Sequence, residues 1–247
     1  MQRQGFSLVE LSIVLVILGL LTGGILAGQS LIRASELRAV TSEYQRYTAA
    51  INTFRDKYFA IPGDFTATTT GLPSATWIGQ GDSDGLVETT GTATSNEISL
   101  FWIHLAAAGL IEGSYTNVAN TTFTAGTHNP KSKLGNAAWN VGNLGTVLAA
   151  STTYYEGNYG NVFYFGSGTS ATAPGAILKA EEAWNIDTKL DDARPQTGLV
   201  TSLESLGSAT AGAGCVNVAA SGTATTATAY DLAGTGITCG LVIKTGS

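Results

Sequence analysis

The chain has 247 residues, only 12% of them charged, and a formal net charge of −6. An acidic and sparsely charged chain is a poor candidate for broad binding to nucleic acid or to anionic membrane, although a local basic site stays open. Its length leaves ample residues beyond one helical segment for a globular domain with a real core.

The first informative stretch is Met1 to Ile32, MQRQGFSLVELSIVLVILGLLTGGILAGQSLI. It carries Arg3 near its start and a single acidic residue, Glu10, inside an otherwise apolar run. Phe6 to Ile32 is 27 residues, long enough to span a bilayer with some tilt. A carboxylate at the centre of such a span costs about 2.5–3.5 kcal/mol, and less near an interface, so its presence asks for a partner. The natural partner is an amine, and cleavage after Gly5 would create one on Phe6. Two plainer readings compete. A secretory signal fits the basic start and apolar run, but Ile25-Leu26-Ala27 is a poor cleavage site and Glu10 is out of place in it. A simple membrane anchor fits the length alone.

The residues Gly5-Phe6-Ser7-Leu8-Val9-Glu10 resemble the cleavage and methylation motif of type IV prepilins and type II secretion pseudopilins. The resemblance implies cleavage after Gly5 by a prepilin peptidase, N-methylation of Phe6, and pairing of Glu10 with the Phe6 amine of a neighbouring subunit. It further implies other pilin or pseudopilin subunits and an inner-membrane assembly platform as partners. The expected location is the inner membrane before assembly, with the globular domain in the periplasm, and afterwards a periplasmic pseudopilus or an extracellular pilus.

Beyond Ile32 the pattern becomes one-sided. Leu37, Val40, Tyr44, Tyr47, Ile51, Phe54 and Tyr58 recur at steps of three and four, an apolar stripe along one helix face. Glu36, Arg38, Glu43, Arg46, Arg55, Asp56 and Lys57 are assigned to the other faces. No proline occurs before Pro62, so one helix from Phe6 to about Phe59, roughly 80 Å long, is expected. Gly19, Gly23, Gly24 and Gly28 weaken its first half by about 1 kcal/mol each. Many type IV pilins carry a proline in that region and this chain does not.

In the remainder, Pro62-Gly63 reads as the turn that ends the helix, and Asp64 can accept from nearby backbone amides. Runs of Thr, Ala, Ser and Gly at 66–71, 89–95, 207–214 and 219–230 read as surface connections and short strands. Asn120-Thr121-Thr122 matches a glycosylation triplet, a weak signal. A helix capped by Ser95 or Asn96 is expected through Ala108, ended by Gly109, and a second over about 176–191. Strands are expected at Asn161–Phe165, Leu199–Leu203, Cys215–Val218 and Gly236–Ile243. Helix first and strands later indicates α+β with an antiparallel sheet, and the resemblance implies the pilin-like arrangement of a long N-terminal helix packed on that sheet. The divisions are a leader at 1–5, the long helix at 6–59 with its membrane and assembly segment at 6–32, and a globular domain at 60–247. Phrases around Tyr58–Asp64, Phe101–Leu105 and Ile186–Asp192 resemble segments of a subgroup of prepilin-type proteins, which supports the domain and assigns no activity.

The two cysteines, Cys215 and Cys239, read as a disulfide in an exported domain, with two free thiols as the alternative. A bridge closing that loop stabilises by about 3–3.5 kcal/mol in the chain-entropy picture. Type IV pilins commonly carry a C-terminal disulfide loop, so the resemblance favours the bond.

Chemistry-bearing residues are few. Asp82, Asp84 and Glu88 form a fragment of a calcium loop, but Gln80 and Gly91 occupy the places where a full EF-hand pattern needs acids. A plain Asp-Gly turn is the better reading, with an irregular calcium site as the alternative. No other cofactor is expected. Asp187, Asp191 and Asp192 form a second acidic cluster, read first as a solvated helix end. His104 and His128 stand without the companions of a catalytic or metal motif. The chain is therefore read as a structural subunit of a pilus or pseudopilus and not as an enzyme. The alternatives are a minor tip pilin with a binding role and a membrane-anchored binding domain.

Overall fold

The computed structural model describes residues 7–65, 79–88, 96–118, 122–145, 155–168, 175–203, 214–217 and 229–246. Gly5, Phe6, Asn120, most of the Thr/Ala/Gly-rich runs and the first residue of the α2 cap proposal, Ser95, lie outside these residues.

Helix α1 runs unbroken over Leu8–Tyr58, 51 residues, which is about 77 Å at 1.5 Å per residue. Its four glycines sit in ordinary helical backbone with open space where a side chain would be. Ser7 caps its start, and Phe59 ends it in a left-handed conformation, φ 54°, with its amide returning to the Arg55 carbonyl at 2.8 Å. Proline two positions beyond Ala60 could not continue the helix, so the chain turns there.

Four antiparallel strands form the main sheet: β1 (Ala138–Asn143), β2 (Asn161–Gly166), β4 (Val200–Ser202) and β6 (Leu241–Lys244), in the order β1-β2-β6-β4. A second, two-stranded sheet pairs β3 (Leu178–Lys179) with β5 (Ile237–Cys239). The packed half of α1 lies across the main sheet. Tyr47 stands edge-on to Trp139 of β1 at 5.6 Å and to Trp102 of α2 (Glu97–Ala107) at 5.2 Å, while Tyr44 meets Phe163 of β2 at 6.2 Å. The opposite sheet face buries a smaller group, Tyr159, Val162, Tyr164, Leu203 and Val242.

Several expected elements shift. The sequence pattern misses β1, whose Asn140, Gly142 and Asn143 hide the alternation of Trp139 and Val141. A Cβ on Gly142 would stand 3.1 Å from the Tyr164 ring, so the cross-strand neighbour occupies that space. The expected single strand over 236–243 divides at Gly240, and its halves serve different sheets. Of the expected strand Cys215–Val218, residues 215–217 are described and make an isolated bridge, Val216 to Tyr230, while Val218 lies outside the described residues. Helix α3 covers Ala180–Leu190, because 178–179 are drawn into β3. Asn96 stands at the N-cap of α2 without capping through its side chain, which donates to the Val118 carbonyl at 2.6 Å.

Candidate functional site

The N-terminal end of α1 is built by its own local sequence. The Ser7 hydroxyl accepts from the Val9 amide at 3.3 Å, and Glu10 Oε2 accepts from the Ser7 amide at 2.9 Å. This reciprocal capping box satisfies amides that a helix start otherwise leaves open, and it sets a carboxylate at the positive end of the helix dipole. Glu10 Oε1 makes no hydrogen bond among the described residues, so a further donor can be accepted there. The amide that Glu10 accepts belongs to Ser7, the residue that follows Phe6 in the sequence, and Phe6 would carry the new amine if the chain is cut after Gly5. Gly5 and Phe6 themselves lie outside the described residues.

Behind this cap the helix presents apolar side chains on all sides. Leu8 is 87% exposed and Leu20 72%, and the most apolar 18-residue window has a mean hydropathy of 2.4 with none of it buried. Among the described residues this is the one helix long and apolar enough to cross a membrane. Nothing among the described residues covers this surface.

Cys215 and Cys239 are joined by a disulfide, with Cα atoms 4.9 Å apart. The bond ties the Val216–Tyr230 bridge to β5, next to β3.

The acidic loop at 81–88 is held from two sides. Asp64 accepts from the amides of Asp84 at 3.0 Å and Gly85 at 2.8 Å. Glu97, at the start of α2, accepts from the amides of Asp82 at 3.0 Å and Glu88 at 3.1 Å. Burial pushes Glu97 up to about 7 and raises Asp64 too, with the donated amides pulling the other way. Carboxylate oxygens of Asp64, Asp82 and Asp84 lie within 4.8 Å of one another, and Glu88 does not join that group. Such oxygens suit a hard cation such as calcium. Asp64, Asp82 and Asp84 are the residues that would hold one, although each already serves loop amides, Asp82 accepting from Asp84 and Asp84 from Leu86.

Asp187, Asp191 and Asp192 also converge. Asp187 is buried and not a solvated helix end: Tyr230 donates to it at 2.8 Å and the Ala193 amide at 3.1 Å, and burial raises its carboxyl to about 7. Asp191 accepts from the Leu199 and Val200 amides, and Asp192 from the Arg194 amide and the Thr197 hydroxyl. This cluster fastens α3 to the strand that follows it.

The histidines are structural in their surroundings. His104 is buried, accepts from the Gly63 amide at 2.9 Å through Nδ1, and is pushed down to about 4 by burial. His128 accepts from the Thr124 amide at 2.9 Å. Glu43 departs from its assignment to a polar face. It is buried and accepts from the Ser132 hydroxyl, the Lys133 amide and the Trp139 indole at 2.7, 3.0 and 2.8 Å. The missed signal is positional: Glu43 follows Val40 by three residues and precedes Tyr47 by four, on the stripe's own flank.

No curated protein and no solved structure matches the chain. Residues 1–26 match the model described as the prokaryotic N-terminal methylation motif. That motif implies processing by prepilin peptidase and assembly with other pilin subunits, and it favours a structural over a catalytic role. With the apolar half of α1 it also points to anchoring in a membrane before assembly. The chain carries the type IV prepilin-like N-terminal signature, on a long helix that continues into an antiparallel α+β domain.

Proposed function

We propose that this chain is a structural subunit of a type IV pilus or a type II secretion pseudopilus. Prepilin peptidase cuts after Gly5 and Phe6 is methylated. The subunit waits in the inner membrane with its globular domain in the periplasm, and an assembly platform then draws it into the filament. Polymerisation runs through α1, and Glu10 receives the Phe6 amine of a neighbour. The observation that carries this reading is the pairing of a capped, half-engaged carboxylate with a helix half that its own domain leaves uncovered. A plain anchor accounts for the apolar run and, through the cap, for one oxygen of Glu10, and leaves the other oxygen without a role.

The test joins processing to incorporation. The N-terminal peptide of membrane-extracted protein is expected to start at methylated Phe6. Glu10→Ala is expected to leave membrane insertion intact and to reduce incorporation into sheared filaments by at least tenfold. An intact Met1, or a start near Ala27, removes the processing claim. Normal incorporation of the Glu10→Ala chain removes the Glu10–amine pairing.

A further inference from the structure

A span of residues 8–32 is about 37 Å long at 1.5 Å per residue, against a hydrocarbon core of about 30 Å. A helix with that excess tilts, and the direction is set by packing and by interfacial aromatic and basic residues. Tilt lowers one side of the globular domain toward the lipid, and the question is which.

Arg33 is the first charged residue after the apolar run. Its guanidinium grips Glu182 through Nε at 2.6 Å and Nη2 at 2.7 Å, and Nη2 also donates to the Ile177 carbonyl at 3.2 Å. Glu182 in turn accepts from the Lys179 amide at 2.9 Å. These bonds hold β3 and the first turn of α3 at the level where the span ends. At the other end of α3, Asp191 accepts from the Leu199 and Val200 amides, the Leu199 carbonyl accepts from the Lys244 amide, and the Lys244 carbonyl accepts from the Tyr44 hydroxyl at 3.1 Å, farther along α1 than Arg33. Helix α3 therefore runs beside α1 in the same direction, its N-terminus nearest the membrane. Helical side chains lean toward the N-terminus of their helix, so the indole of Trp184, 36% exposed, leans toward the lipid. In the adjoining sheet Lys179 pairs with Ile237, which is 58% exposed. Directly paired residues share a sheet face, so a long cationic chain and an apolar one stand together there. An amphipathic aromatic ring, an aliphatic side chain and a snorkelling lysine at the end of a span are what a headgroup layer accommodates.

We propose that, before assembly, Trp184, Ile237 and Lys179 seat this face of the domain in the headgroup layer of the membrane that holds α1. The inference rests on α1 spanning that membrane. Glu181 is also exposed beside these residues, so the seat needs no anionic lipid and forms on zwitterionic phosphatidylcholine.

The experiment uses the full chain at one copy per phosphatidylcholine nanodisc, with lipids brominated near the headgroup end of the acyl chain. Trp102 and Trp139 are fully buried in the core and out of reach. Wild-type emission is expected to fall by roughly a quarter, one tryptophan of the four in the chain. Trp184→Phe is expected to remove that loss, and Ile237→Asp to reduce it at least twofold while Trp184 remains. Equal quenching of wild type and Trp184→Phe, or no quenching of a chain that co-purifies with the disc, overturns the seat and leaves the anchor standing. Quenching that requires two copies per disc assigns the face to a neighbouring subunit and also overturns it. A chain that fails to co-purify with discs overturns the anchor itself.

Discussion

The two halves of α1 share one continuous backbone and have opposite environments. Residues 8–32 are apolar all round and exposed, whereas Val40, Tyr44, Tyr47, Ile51, Phe54 and Tyr58 bury a single stripe against α2 and the main sheet. The apolar surface of a helix, whether one stripe or the whole circumference, packs against something. For the second half that something is its own domain, and for the first it must be supplied from outside. The domain's stability should accordingly be blind to the first half. Phe54→Ala removes a fully buried ring set against Tyr58 at 4.6 Å, and is expected to cost about 3–5 kcal/mol. Leu15→Ala is expected to change the same unfolding transition by less than about 0.5 kcal/mol. Thermal melts of the detergent-solubilised full chain, followed through the near-ultraviolet signal of the buried tryptophans, compare the two. Equal costs would mean that the halves unfold as one unit and would break the comparison.

Each half also carries a carboxylate that its surroundings treat differently. Glu10 is exposed and accepts one amide, while Glu43 is buried and accepts three donors from 132–133 and Trp139. Removing one partner from a buried polar network leaves the others desolvated and unpaired. Glu43→Ala is therefore expected to cost about 2–4 kcal/mol, and Glu10→Ala to leave the domain's melting unchanged. A Glu43→Ala domain as stable as wild type would mean that water reaches Trp139 and Ser132, and that the second half is less tightly closed than its geometry indicates.

These residues also mark what was legible. The anchor, its carboxylate and the buried stripe follow from local order alone, because a three-and-four spacing and a lone acid in an apolar run need no tertiary knowledge. The position of Glu43 on the flank of the stripe was a local signal of burial, but its three donors were not legible, since they come from residues far along the chain. The same holds for β1, whose partners Val162 and Tyr164 give its Asn and Gly positions a reason. It holds again for the break at Gly240, where two sheets compete for one apolar run. In the acidic loop the repeated carboxylates were visible, but the participation of Asp64 in place of Glu88 was not. That exchange depends on the turn after α1 bringing Asp64 beneath the amides of 84–85.

The start of α2, which holds the acidic loop, sets up a pH dependence in the domain. Burial raises Glu97 from an ordinary 4.5 to about 7, so between these values the folded state holds more protons than the unfolded one. Stability is then highest below about pH 4.5, falls as pH rises toward 7, and is flat above it as far as this group is concerned. Asp187, also raised to about 7, adds to the same slope. Glu97→Gln is expected to flatten the decline between pH 4.5 and 7 by about 1–3 kcal/mol. An unchanged slope would place the titration elsewhere, with Asp187→Asn as the next variant to measure.

The smallest effect is expected at the junction of the halves. Arg33 and Glu182 make a two-pronged ion pair at 2.6 and 2.7 Å, but the Arg33 side chain is 33% exposed, so solvent screens it. Arg33→Ala should cost no more than about 1 kcal/mol. Burial works against the charge of Glu182, and Arg33 with the Lys179 amide outweighs it, leaving the carboxyl below its ordinary value. A lowered acid contributes stability that is present above its unfolded value of 4.5 and is lost as pH falls through the folded one. The cost of Arg33→Ala should therefore shrink from pH 7 to pH 3, in the opposite sense to the Glu97 slope. A cost that does not shrink would mean that the bond to the Ile177 carbonyl and the packing of the Arg33 stem, and not the charge on Glu182, hold α1 against the start of α3.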